Sequence, residues 1–370
     1  MIEQGPYRIA NPDGLETPAM VVFQQQLDHN ISSLCEMVGG GDNLMVHVKT
    51  HKAEVIARKQ LAAGIAGFKC ATLKELEMVL EAGASEAILA YPMVQRVKIE
   101  RFAELCARFS QAHAYATVGE FRHVEALAEV ALDRQQVLRA MVDLDVGMHR
   151  TGVRPEGEAE ETYRLLHSSQ WLEAGGLHAY DGHEHFSDSI GREAAANQHI
   201  EVLQALKDRL EAESMPCPRI VAGGSFSFPY YARAEGFHGS PGTVVYWDLN
   251  GTRRLKDWPF QYAALVLCQI VDRYPDQGTV TTDLGVKSIA ADPPLESRVQ
   301  ILGHPGARLI LQNEEHGVFT WPGDPPELGG YLLAVPGHVC PTTIRYPGSY
   351  VIDAEGAVVD YYPHTARDRQ

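Results

Sequence analysis

The stretch Leu44-Met45-Val46-His47-Val48-Lys49-Thr50-His51-Lys52 decides how the rest of the chain is read. Side chains on a strand alternate between its two faces. Leu44, Val46 and Val48 then share an all-apolar face, and Met45, His47 and Lys49 share the other. As the first strand of a β/α barrel, the run packs its apolar face against helices and turns the Met/His/Lys face inward. Lys49 would stand at the strand's C-terminal end, where barrel chemistry is carried out. Partial desolvation there lowers a lysine's pKa. Neutral amine is the form that attacks an aldehyde, so the position suits a Schiff-base lysine. The alternative is a solvated basic turn after an ordinary strand.

Working outward, strand-like runs recur at Gly64–Cys70, Glu86–Tyr91, His113–Val118, Arg139–Asp145, Gly175–Tyr180, Arg219–Gly223 and Gly242–Asp248. Amphipathic segments lie between them. Leu73, Leu76, Val79 and Leu80 form a stripe stopped by Gly83, and Phe121, Val124, Leu127, Ala128 and Ala131 form another. With the first strand, eight strands alternating with helices predict a (β/α)8 TIM-type barrel over 24–245. A doubly wound open sheet is the alternative, weakened because no G-x-G-x-x-G follows the first strand. After Asp248, short runs broken by Pro and Gly read as a mostly β C-terminal domain over 246–370. Ala19–Phe23 is expected to pair with that sheet, so residues 1–23 join it.

Composition narrows the function classes. The 370 residues carry a net charge of −16 and no long basic stretch, which argues against nucleic acid and anionic membranes. No segment is long and apolar enough to span a bilayer, and the start has no signal-peptide pattern. The six cysteines, 35, 70, 106, 217, 268 and 340, are scattered without a C-x-x-C. They read as mostly buried thiols in a reducing cytoplasm.

Polar groups converge on the expected barrel mouth. Parity turns Asp143 and Asp145 inward from one strand and His178 and Tyr180 from the next, with Arg150 in the loop between. A satisfied ion-pair network is the alternative. Ala222-Gly223-Gly224-Ser225 exposes backbone N–H groups and hydroxyls at a strand-to-helix turn, an arrangement suited to phosphate. Barrel phosphate sites commonly follow strands seven and eight. A phosphate grip and a Schiff-base lysine on one mouth imply pyridoxal 5′-phosphate (PLP). His338 and Cys340, two apart on an extended strand, would point the same way, and imidazole with thiolate suits zinc. His183 and His185 follow the sixth strand, either as a base working near neutral pH or as a solvated loop.

These motifs, taken in order, resemble the D-threonine aldolase / D-serine dehydratase family, the fold-type III PLP enzymes with an alanine racemase-like N-terminal barrel. The resemblance rests on His47 to Lys52, Asp143 to Gly152, Gly223-Gly224-Ser225 and His338-Val339-Cys340. It implies a lyase acting on D-3-hydroxy amino acids and working as a homodimer, with a divalent metal (zinc or manganese) beside the PLP. By resemblance Lys49 carries the cofactor, and Arg150 and Tyr180 contact its ring, with His47 in the same motif. Gly224, Ser225 and Tyr246 surround its phosphate, and His338 and Cys340 hold the metal. A His-x-Cys pair is more typical of the zinc dehydratases, whereas a histidine shortly after Tyr180 is more like the aldolases. The aldolase reading, glycine plus an aldehyde, is taken as the expectation. D-serine or D-3-hydroxyaspartate dehydration, giving a 2-oxo acid and ammonia, is the alternative. An amino-acid racemase and a non-catalytic PLP carrier stand further off.

Overall fold

The computed structural model describes residues 1–184 and 186–369, and these fall into two compact units. One comprises Cys35–Lys49 and Glu54–Gly242, with Asp368 and Arg369. The other comprises Met1–Leu34, Thr50–Ala53 and Thr243–Arg367. The helix Gln24–Glu36, grouped with the barrel on sequence, therefore lies mostly in the second unit.

The first unit is a closed parallel barrel. Its strands are Met45–His47, Gly67–Cys70, Glu86–Leu89, His113–Val118, Leu138–Leu144, Leu172–Ala179, Ile220–Ala222 and Phe237–Gly239. Each pairs with the next. A parallel bridge from Leu44 to Gly239 joins last to first, and the Gly239 N–H donates to the Asn43 carbonyl at 2.9 Å. The eighth strand is thus Phe237–Gly239 rather than the expected Gly242–Asp248. Thr243–Val245 instead forms a 3₁₀ turn, and Asp248 caps the helix Leu249–Arg254 by accepting the Gly251 N–H at 3.0 Å. Three residues are too few to show an alternation, which is why the real strand escaped pattern reading.

The inward parity holds. Met45, Ile88, Tyr115, Met141 and Val221, from five different strands, are each at most 3% exposed and pack together as the barrel's apolar filling. The helix Leu73–Glu81 follows its stripe: Leu73, Leu76, Val79 and Leu80 are buried. Thr72 accepts the Glu75 N–H at 3.1 Å, and the Glu75 carboxylate accepts the Ala71 N–H at 2.6 Å. Such a cap is worth about 1 kcal/mol. Helix Phe121–Arg134 buries Val124, Leu127, Val130 and Ala131, while Phe121 is exposed.

The second unit is built on a sheet in which Ala264–Tyr274 is central. Ala19–Phe23 runs antiparallel to Ala264–Leu267 on one side and parallel to Tyr350–Ile352 on the other. All five of its residues are buried, as in a strand covered on both faces. Val21, Phe23, Leu265, Leu267, Leu333, Val335 and Ile352 form the core beneath. Among the described residues no helix is long and apolar enough to cross a membrane.

Candidate active site

The barrel strand Met45–His47 stops one residue pair earlier than the alternation suggests, and Val48–Thr50 turns as a single 3₁₀ turn. The Lys49 amide donates back to the His47 ring at 3.3 Å. Lys49 still opens on the interior: His47, Lys49, Lys69, Arg150, His178 and Tyr180 line one cavity of about 410 Å³. Tyr180 is its hub. The Lys49 Nζ is 5.9 Å from the ring centroid, the Lys69 Nζ 5.4 Å and the Arg150 guanidinium carbon 4.7 Å. Three basic side chains around one aromatic ring make the cavity a site for an anionic, planar ligand.

Beneath the mouth sits a buried pair. His178 Nδ1 lies 2.6 Å from Asp143 Oδ1, both side chains being about 5% exposed. Burial lowers the His178 pKa against the pull of the carboxylate. Burial pushes the Asp143 carboxyl up, but His178, Thr151 and Lys69 outweigh it and hold the group below its usual range. The consistent state is a neutral imidazole donating from Nδ1 to a carboxylate. Nε2 then keeps its lone pair, and it has no hydrogen-bond partner. Asp145, expected beside Asp143 in the interior, belongs to the loop. It lies past the strand end at Leu144 and accepts the Gly147 and His149 N–H groups at 3.0 and 2.9 Å.

The turn after the seventh strand packs closely against Tyr180. Gly223 has φ +80°, which favours glycine, and a Cβ on Gly224 would stand 2.9 Å from the Tyr180 ring. The Gly224 N–H donates to Ser227 Oγ at 3.2 Å, and Ser225 Oγ accepts the Gly242 N–H at 3.1 Å. The turn is thereby fixed directly beside the aromatic hub. The orphaned amine of Lys69, the free Nε2 of His178 and this close-fitting glycine turn fit PLP in charge, planarity and phosphate.

His183 does not line the cavity. It packs over Gly147, its Nε2 is 3.3 Å from Glu184, and His199 lies 3.6 Å from the same carboxylate. Among the described residues these three are the one cluster with metal-ligand spacing. His185 lies outside the described residues.

In the second unit, His338 and Cys340 stand together, but not on a strand. His338 is the N-cap of the short helix Val339–Thr343, and Cys340 is in its first turn. The His338 Nδ1 is 2.6 Å from Asp292 Oδ2, and Cys340 Sγ is 3.2 Å from Thr50 Oγ1. Burial works against charge on His338, but Cys340, Asp292 and Asp248 outweigh it and hold its pKa up at about 9. A soft thiol and an imidazole, with a carboxylate on the far ring nitrogen, are residue types that zinc takes as donors and outer partner. Tyr246 is fully buried in this unit, edge-on to His51 with ring centroids 6.5 Å apart, and burial pushes its phenol pKa up.

Two site residues were not singled out from sequence. Lys69 sits in Gly67-Phe68-Lys69-Cys70, a strand whose other members are apolar or small, and it pairs in register with His47. That inward parity was legible. Asp292 lies in a Pro-rich loop with no pattern to mark it.

Comparison with known proteins matches this architecture. Residues 22–250, more than half of the chain, match the family model of the alanine racemase N-terminal domain, and residues 263–352 match the serine dehydratase domain. The chain is 26% identical to a D-threonine aldolase of Arthrobacter sp, over 95% of this chain and 93% of that one. It is also 26% identical to the D-threo-3-hydroxyaspartate dehydratase of Delftia sp. (strain HT23), over 93% and 96%. The crystal structure of D-threonine aldolase from Filomicrobium marinum superimposes with a TM-score of 0.87 at 26% identity, covering 95% of this chain and 96% of that one. With its lysine-bearing barrel and a separate β domain, the chain belongs to the family of the alanine racemase N-terminal domain.

Proposed function

We propose that the chain is a PLP-dependent lyase of D-3-hydroxy amino acids, of the D-threonine aldolase type. The observation that carries the reading is the Tyr180-centred cavity, in which the Lys49 amine meets a basic wall, with the glycine turn packed against the Tyr180 ring. Near-full-length similarity to both an aldolase and a dehydratase of such substrates supports it. When bound, PLP supplies an aldehyde that condenses with amines and a ring that withdraws negative charge from the α-carbon.

The chain's own residues supply the rest. Lys49 presents the amine that holds the cofactor. The Gly223–Ser225 turn would receive the phosphate, and the Tyr180 ring and Arg150 would hold the aromatic plane. His178, oriented by Asp143, keeps an acceptor nitrogen in the cavity. His183 is oriented by Glu184, and its buried Nδ1 has no hydrogen-bond partner. It is the proposed base for the substrate's β-hydroxyl, a role shared on sequence with His185. His338 and Cys340 would hold a zinc or manganese ion, which supplies Lewis-acid stabilisation of oxygen. Tyr246 is proposed to serve the phosphate. By the same resemblance the protein is proposed to be a cytoplasmic homodimer, which light scattering tests.

The thiol at position 340 favours a second reading, dehydration. The deciding experiment is incubation of the PLP- and zinc-loaded protein with D-threonine and D-threo-3-hydroxyaspartate, with products identified by mass spectrometry. Glycine with an aldehyde supports the aldolase. A 2-oxo acid with ammonia overturns it in favour of the dehydratase. Neither product, with only D/L interconversion, overturns both.

A further inference from the structure

The cavity holds an amine that the reaction as described does not use. Lys69 is 2% exposed, and its Nζ has no hydrogen-bond partner. Buried polar groups are normally satisfied, and one left open inside a ligand cavity indicates the ligand as its partner. The charged and titratable groups that face it come from every side: Lys49, Arg150, Asp143 and Asp181, with His178 and the Tyr180 ring. Burial first, then Lys49, push its pKa down to about 7, against Asp181 and Asp143. The amine is thus poised between its neutral and charged forms near pH 7, and an adjacent anion favours the charged one.

The geometry states which anion. Lys69 is in register with His47, two residues below Lys49 on the neighbouring strand. It lines the same cavity as Lys49 and Tyr180 and is buried. The pyridoxal carbon that Lys49 would hold is flanked on the ring by just two oxygen-bearing substituents, the phosphate arm and the phenolic oxygen. The Gly223–Ser225 turn takes the phosphate. We infer that Lys69 is a positioning residue whose Nζ donates to the phenolic oxygen of the bound PLP ring and holds that oxygen ionised. This inference rests on the PLP reading above.

A cation held there favours the deprotonated form of the cofactor's chromophore, because a nearby positive charge disfavours added positive charge. The test is a spectrophotometric pH titration of the PLP-loaded full-length protein, wild type against Lys69→Met, with melting of both cofactor-free proteins. Lys69→Met is expected to raise the pKa of the visible band by about one unit or more. Its cofactor-free form is expected to melt no lower than wild type, since an unpartnered buried amine contributes nothing to the fold. An unchanged band pKa overturns the inference while leaving the PLP reading intact. A lower melting temperature for the cofactor-free variant also overturns it, since Lys69 would then be serving the fold. Wild-type protein that shows no visible band with PLP overturns the PLP reading, and this inference with it.

Discussion

Removing the Asp143 carboxylate tests the logic of the cavity most directly. In Asp143→Ala the His178 Nδ1–H loses its 2.6 Å acceptor in a site about 5% exposed, and Lys69 loses a nearby negative charge. Losing a hydrogen bond to a charged group and leaving its buried partner unsatisfied costs about 1.5–3 kcal/mol. In Asp143→Asn the side chain keeps an oxygen in place, so a neutral hydrogen bond survives. Charge-assisted bonds are roughly twice as strong as neutral ones, so the loss falls to about 1–2 kcal/mol. Asparagine can also donate from its amide, which would move the histidine's proton to Nε2 and occupy the acceptor that faces the cavity. The asparagine variant should therefore be destabilised less than the alanine variant yet lose most of its turnover. The assays are guanidinium denaturation of the PLP-loaded protein and steady-state turnover of D-threonine. Alanine and asparagine variants within about 0.5 kcal/mol of wild type would refute the pair's structural role. An asparagine variant with full turnover would refute the role of its tautomer.

Further expectations follow from other parts of the molecule. Gly224→Ala places a methyl 2.9 Å from the Tyr180 ring, and overpacking of that kind costs about 1–3 kcal/mol. It should appear as weaker PLP binding in a fluorescence titration, and unchanged affinity would sink the glycine turn as part of the cofactor site. His364 is buried, with its ring between Ser349 Oγ at 2.9 Å and the Tyr346 carbonyl at 2.9 Å. Burial pushes its pKa down to about 4 from an ordinary 6.5. A depressed folded pKa gives stability that is present above pH 6.5 and lost as pH falls towards 4. The loss amounts to roughly 3 kcal/mol. His364→Gln should flatten that part of the stability-versus-pH curve, and an unaltered curve would count against the assignment. His338→Ala should leave the protein folded but reduce bound zinc, measured by plasma emission, by at least tenfold. Equal zinc in wild type and variant would instead direct attention to His183, Glu184 and His199.

Much of this molecule follows from local sequence. Periodicity of two separates Met45 and His47 from Val46, and Met141 and Asp143 from Val142, because a strand has only two faces and one of them meets helices. Periodicity of 3.6 marks Leu73–Glu81, because a helix on a barrel buries one stripe. Lys49, Arg150, Tyr180 and the Gly223–Ser225 turn were each legible as residue types at strand ends. Tertiary structure decided what pattern could not express. It placed the last barrel strand at Phe237–Gly239, where closure depends on the neighbours at Leu44 and Ile220 rather than on three residues' own preference. It moved Asp145 into a loop, and His338 and Cys340 onto a helix start. It also turned Lys69 from one lysine among many into an unsatisfied amine at the centre of the cavity. Strand alternation is a property of adjacent residues and can be read along the chain. Burial, closure and the sharing of a charge are properties of residues distant in sequence, and they exist only once the fold brings those residues together.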